Sequence, residues 1–200
     1  AWSNLAVVHL NLPDYDSSFD TEDQFNHGQE AANRALEIEP KYTEALIIKA
    51  EYQMFHCQIA DGARLYKQAI ASNPLDPTAH HWYSIALAAA GQFEKALQQI
   101  QLAREIDPLI SAVIATEAEL QRSAGNYEAA QTLHRQAATL GMYGGSMYGV
   151  GMDYLFAGEI QKGEDLFMDG TRTNATEVET RNRLFLEALQ DRDKLETFIQ

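Results

Sequence analysis

The sequence predicts an all-α fold, a solenoid of stacked helical hairpins closed by a C-terminal capping helix or hairpin, and three observations carry that prediction. Prolines recur at Pro40, Pro74 and Pro108, with spacings of 74−40=34 and 108−74=34. Such a fixed period marks units too small to bury their own apolar faces, which become stable by covering one another. Small residues recur in the same register: Ala35, Ala69 and Ala103 stand five residues before each proline, and Gly28, Gly62 and Ala96 twelve before. Finally, apolar or small residues fall at i, i+3, i+4 and i+7, which forms one stripe on a helix.

Each element follows in order. The first unit, residues 1–40, opens with the stripe Trp2, Leu5, Ala6 and His9, carries an inserted loop at 13–23, and ends in an Ala-rich helix through Glu30, Ala31, Ala32, Ala35 and Leu36. The second, 41–74, repeats the Gly62 and Ala69 positions. In the third, 75–108, Asp76-Pro77 supplies a helix start and Ala90-Gly91-Gln92-Phe93 the break between its two helices. The fourth, 109–142, starts near Ser111, breaks at Ala124-Gly125-Asn126-Tyr127, and closes on Leu140-Gly141, a glycine helix stop, with Met142 where a proline would stand. A fifth, 143–175, shows Met147, Val150, Gly151, Tyr154, Gly158 and Gly163, displaced by one residue. Residues 176–200 read as the cap: Thr176 and Glu179 make a capping box ahead of Leu184, Phe185, Ala188 and Leu189.

These residues resemble the tetratricopeptide repeat, with Gly91, Phe93, Ala96, Ala103 and Pro108 as the cleanest match. The resemblance spans residues 1–175 and implies a right-handed superhelical solenoid that holds a protein or peptide segment, or a second copy of itself, and performs no catalysis. A narrower resemblance rests on the loop 13–23 and on His81-Trp82-Tyr83-Ser84 followed by Gly91-Gln92-Phe93-Glu94-Lys95-Ala96-Leu97 and Ile106-Asp107-Pro108-Leu109. It is similar to the repeat regions of bacterial regulators, either CadC-like winged-helix activators or adenylate-cyclase-linked proteins. That resemblance implies a fragment of a larger regulatory protein, and a ligand- or pH-sensing role as the alternative function. A start at Ala1, without an initiator Met, agrees with a fragment. The compartment is cytoplasmic by default and periplasmic if the parent is a membrane-anchored regulator.

Composition excludes several classes. Lys and Arg number 15 against 29 Asp and Glu, and the net charge of −14 repels phosphate backbones, so direct nucleic-acid binding is not expected. The lone Cys57 cannot form an internal disulfide. No apolar run is long enough to insert in a membrane. The carboxylates of the inserted loop, Asp14, Asp16, Asp20, Glu22 and Asp23, lack the central glycine of a calcium loop and read as solvated. His9, His27, His56, His80, His81 and His134 show no ligand spacing, and His80 and His134 fall where the repeat packs aromatics. Neither metal nor cofactor is expected, and no nucleophile–base arrangement or phosphate loop occurs.

In a solenoid of this kind the first helices of successive hairpins line a concave face. The expected partner-binding residues are Ile47, Glu51, Met54 and Phe55, then His81 and Ile85 with Ala88, then Glu119 and Arg122 with Ala115, then Tyr148, Met152 and Leu155. Apolar side chains with scattered acids suit an amphipathic helix or a peptide carrying bases. Relatives that grip acidic chaperone tails use Lys, Asn and Arg here, whereas this chain offers Ser3, Val7, Ile47, Glu51, His81 and Ile85. Acidic tails are therefore disfavoured.

Overall fold

A computed structural model describes residues 21–170, and among them every regular element is an α-helix. In chain order these are α1 (Thr21–Ile38), α2 (Thr43–Phe55), α3 (Ile59–Ser72), α4 (Pro77–Ala89), α5 (Phe93–Ile106), α6 (Ser111–Ser123), α7 (Tyr127–Thr139), α8 (Tyr143–Phe156) and α9 (Ile160–Gly170). The expected Trp2 helix and the cap at 176–200 lie outside the described residues. So do residues 13–20 of the expected insertion. Its last three residues are helical instead: α1 begins at Thr21, and Glu22 and Asp23 occupy its first turn, where carboxylates face the positive end of the helix dipole.

The chain forms two compact units, Ala1–Pro108 and Leu109–Gln200. In the first, α2–α3 and α4–α5 are antiparallel hairpins; α1 packs on α2, α3 on α4, and α2 also touches α4. In the second, α6–α7 and α8–α9 are the hairpins, α7 packs on α8, and α6 touches α8. Hairpins start at Thr43, Pro77 and Ser111, which reproduces the period: 77−43=34 and 111−77=34. Tyr143 follows after 143−111=32. Of the two residues lost, one is in the linker, since three residues, 140–142, join α7 to α8 whereas four join α3 to α4 and α5 to α6, and the other is in α7, which has 13 residues where α3 and α5 have 14.

Local chemistry explains the boundaries. The Asp76 carboxylate accepts from the Ala79 amide at 3.0 Å, with Pro77 in the first turn of α4. Ser111 opens α6 but does not cap it; Ile110 holds that place without a side-chain bond. Inside every hairpin the turn is the same device. The residue after the cap is left-handed, at Cys57 (φ 58°), Gly91 (73°), Gly125 (81°) and Gly158 (82°). The next amide then reaches back five residues: Gln58 to Gln53, Gln92 to Leu87, Asn126 to Gln121 and Glu159 to Tyr154, at 2.8–2.9 Å. Cys57 is the one of these four with a side chain, and an L-residue there costs about 1–2 kcal/mol of steric strain. Cys57→Gly is therefore expected to stabilise the chain by about 1 kcal/mol in urea unfolding, after allowing for the greater unfolded-state freedom of glycine. A destabilised variant would show that the thiol packs against something that matters.

The recurring small residues sit where two helices of a hairpin touch. A Cβ on Gly62 would lie 2.9 Å from Met54 Sδ and 3.2 Å from the Ala50 carbonyl oxygen. One on Gly163 would lie 2.6 Å from Leu155 Cδ2. Ala96 and Ala130 occupy the matching place in the other hairpins and are fully buried, as are Ala69, Ala103 and Ala137 one stripe further along. Close approach leaves no void for larger side chains.

Candidate peptide-docking face

Each unit has its own candidate face, carried by the first helix of each hairpin: α2 and α4 in the first unit, α6 and α8 in the second. The structure divides the expected residues into three groups. Ile47 does not reach the surface: it is 4% exposed, within the apolar run Ala45–Ile48 on a helix covered by α1, α3 and α4. Met54 and Leu155 point into their own hairpins, against Gly62 and Gly163. Glu51, Phe55, His81, Ile85, Glu119, Arg122, Tyr148 and Met152 retain accessible surface, as do the small Ala88 and Ala115, and Met54 and Leu155 keep part of theirs.

In the first unit Phe55 is 42% exposed and stacks on Phe25 of α1 at 4.3 Å, so it is held rigidly while showing its other face. Glu51, one turn earlier, is half-buried, and that burial pushes its carboxyl up to about 7. The hydroxyl of Tyr66 on α3 is raised as well, by its own burial first and by the charge of Glu51 second. On α4, His81 is half-buried and stacks on Trp82 at 5.3 Å; burial lowers its imidazole to about 4, which leaves it neutral near pH 7. His81 and Ile85 stand 34 residues beyond Ile47 and Glu51, the same places on the next first helix.

The second unit contains a polar cluster that the motif reading missed. Asp153 on α8 is fully buried; its Oδ2 lies 2.7 Å from Nδ1 of buried His134 on α7, and its Oδ1 accepts from Arg122 Nη1 on α6 at 3.3 Å. The Arg122 guanidinium also sits over the Phe156 ring, 5.9 Å from its centroid. Arg122 thus ties α6 to α8. A Cβ on Gly149 would come 2.5 Å from His134 Nε2, so that glycine makes room for the imidazole. His134 holds the place of Tyr66 and Ile100 in the earlier repeats, all three buried. His80 is buried too, with Nε2 3.0 Å from the Pro74 carbonyl and Nδ1 2.8 Å from Gln99 Oε1. One signal for the cluster was present: Asp153 is the single charged residue in the apolar, Gly-rich sequence of α8.

Among the described residues no three His, Cys, Asp or Glu side chains gather closely enough to hold a metal, and no helix is long and apolar enough to cross a membrane. Accessible apolar side chains, rigid aromatics and isolated acids are features that bind a polypeptide.

Residues 49–109 match the tetratricopeptide repeat family. The chain is similar to the transcriptional regulator HilA of Salmonella typhimurium, 29% identical over 113 residues, which is 56% of this chain and 20% of that protein. It therefore spans about a fifth of the length of the curated relatives it matches. Among solved structures it resembles PilW, a type IV pilus biogenesis factor, with a TM-score of 0.76 and 12% identity over 98% of this chain and 88% of that one. A thermophilic repeat protein of Thermus thermophilus gives 0.73 and 17%, covering 92% and 97%. YrrB, described as having an unusual peptide-binding site, gives 0.62 and 13%, covering 89% and 91%. At these identities the structural likenesses establish the fold alone.

Proposed function

We propose, from the premise that this chain belongs to the tetratricopeptide-repeat superfamily, that it is a non-catalytic interaction module whose first-helix faces hold a segment of another protein. The observation that carries this reading is the accessibility of Phe55, Ile85 and Tyr148 at repeat-matched helices, beside residues that are otherwise packed. A rigid aromatic with one free face contributes large contact area at little entropic cost. The peptide-binding site named for YrrB supports the same class of ligand.

A second reading is favoured by the similarity to HilA: the module is the partner- or signal-receiving region of a bacterial transcription regulator, with DNA contacted elsewhere in the parent protein. The net charge of −14 fits a region that does not itself touch nucleic acid.

The test uses the chain as affinity bait in lysate of its source organism. Wild type is compared with Phe55→Ala/Tyr148→Ala, after melting curves establish that the double variant remains helical. A partner retained by wild type should bind the variant at least about tenfold more weakly, since aromatic anchors dominate such interfaces. Equal retention would remove the reading of these faces as docking surfaces. Because Phe55 also stacks on Phe25, a modest loss of stability is expected alongside.

A further inference from the structure

The α2–α4 face carries one charged group whose surroundings suit a particular partner. Glu51 is half-buried, one turn from exposed Phe55, and the matching place on α4 is the apolar Ile85. None of the ion pairs among the described residues involves Glu51. Lys49 lies two residues away on α2, a spacing at which helical side chains do not face each other. Lys67 on α3 sits over the Tyr83 ring. His81 supplies no positive charge near neutrality, because burial holds its imidazole at about 4. A carboxylate in this setting is desolvated without electrostatic return, which is why its carboxyl is raised.

We propose that the α2–α4 face docks a partner segment bearing a Lys or Arg flanked by apolar residues, its cation pairing with Glu51 while the neighbours cover Phe55 and Ile85. The proposal rests on reading this face as the docking surface. Charge complementarity selects this occupant. A chain with net charge −14 draws basic segments in and repels acidic ones, and it repels a second copy of itself. The incoming cation ionises Glu51 and restores the partner that solvent would otherwise give it. An acidic segment would add a second uncompensated charge beside it. The same register in α6 carries Glu119, which is an exposed carboxylate, so the half-buried acid belongs to the first unit.

The experiment is selection of a displayed random-peptide library on the 200-residue chain at neutral pH. Enriched peptides are then titrated against wild type, Glu51→Gln and Phe55→Ala. The expected result is enrichment of Lys or Arg next to Leu, Ile, Phe or Tyr, with affinity falling about tenfold or more in Glu51→Gln. Replacing the peptide's base by Gln should produce a similar loss in wild type and little further loss in Glu51→Gln. If the peptides need Phe55 but show no base preference and ignore Glu51→Gln, the docking face stands and the cation proposal is overturned. If no peptide is enriched, or binding ignores both substitutions, the docking face itself is wrong and the proposal falls with it. Glu51→Gln is nearly isosteric and removes an unfavourable buried charge, so loss of folding does not confuse the outcome.

Discussion

Replacing Asp153 by Ala is expected to cost about 3–5 kcal/mol of stability in the second unit, the usual consequence of removing one member of a buried ionic cluster. The carboxylate is wholly buried, and both its oxygens are engaged, by His134 at 2.7 Å and Arg122 at 3.3 Å. Its loss strands the His134 donor in a site that excludes water and leaves the part-buried Arg122 guanidinium without its carboxylate. The cluster itself need not stabilise the fold, because earlier repeats fill the corresponding places with uncharged groups: Tyr52, Ala86 and Leu120 match Asp153, and Tyr66 and Ile100 match His134. Arg122→Met/His134→Ile/Asp153→Leu should therefore recover most of what Asp153→Ala loses. Both tryptophans, Trp2 and Trp82, belong to the first unit, so the readout is far-UV circular dichroism in urea together with amide exchange across α8. A change below about 0.5 kcal/mol in Asp153→Ala would mean that solvent reaches the site and the cluster carries no structural weight.

The fold was legible in the sequence because its signals are local and repeated. A 34-residue period, a glycine at each turn and small residues at each helix contact are enforced by backbone geometry, so they survive as letters at fixed positions. Cys57 shows the limit of that reasoning. It adopts the same left-handed turn as Gly91 and Gly125, yet its letter gives no hint of it. The docking face was less legible, for a physical reason. Period alone fixes which helix a residue is on, but whether it faces a partner depends on the neighbouring helices. Ile47 is buried on a helix packed against three others, and Met54 and Leu155 lie against Gly62 and Gly163 in their own hairpins. Glycines at those contacts could have warned that the facing side chains were committed. Arg122 was placed on the right helix but is held by a residue 31 positions away, Asp153, which no single-helix pattern relates to it.

The pH dependence of the first unit should separate two half-buried groups that act in opposite directions. Glu51 is raised from 4.5 to about 7 by burial, so its folded form holds its proton more tightly than the unfolded chain does. Its favourable contribution is complete below pH 4.5 and is lost as pH rises through 7. His81 is lowered from 6.5 to about 4 by burial, so its contribution is complete above pH 6.5 and is lost as pH falls through 4. Between 4.5 and 6.5 the two slopes oppose each other and nearly cancel in wild type. Each substitution exposes the other group. Glu51→Gln should gain stability steadily as pH rises from 4 to 6.5, and His81→Gln should lose it from 4.5 to 7. A shift of one pH unit is worth about 1.4 kcal/mol, and allowing for solvent reaching both half-buried side chains, each swing should total about 1–2 kcal/mol. Trp82, stacked beside His81, reports unfolding by fluorescence in urea titrations at successive pH values. The many surface carboxylates add the same background slope to all three proteins, so the comparison rests on differences from wild type. Parallel curves for wild type and both variants would show that neither group is desolvated in the folded chain. The Glu51 carboxylate would then be an ordinary surface charge, and its attraction for a basic partner correspondingly weak.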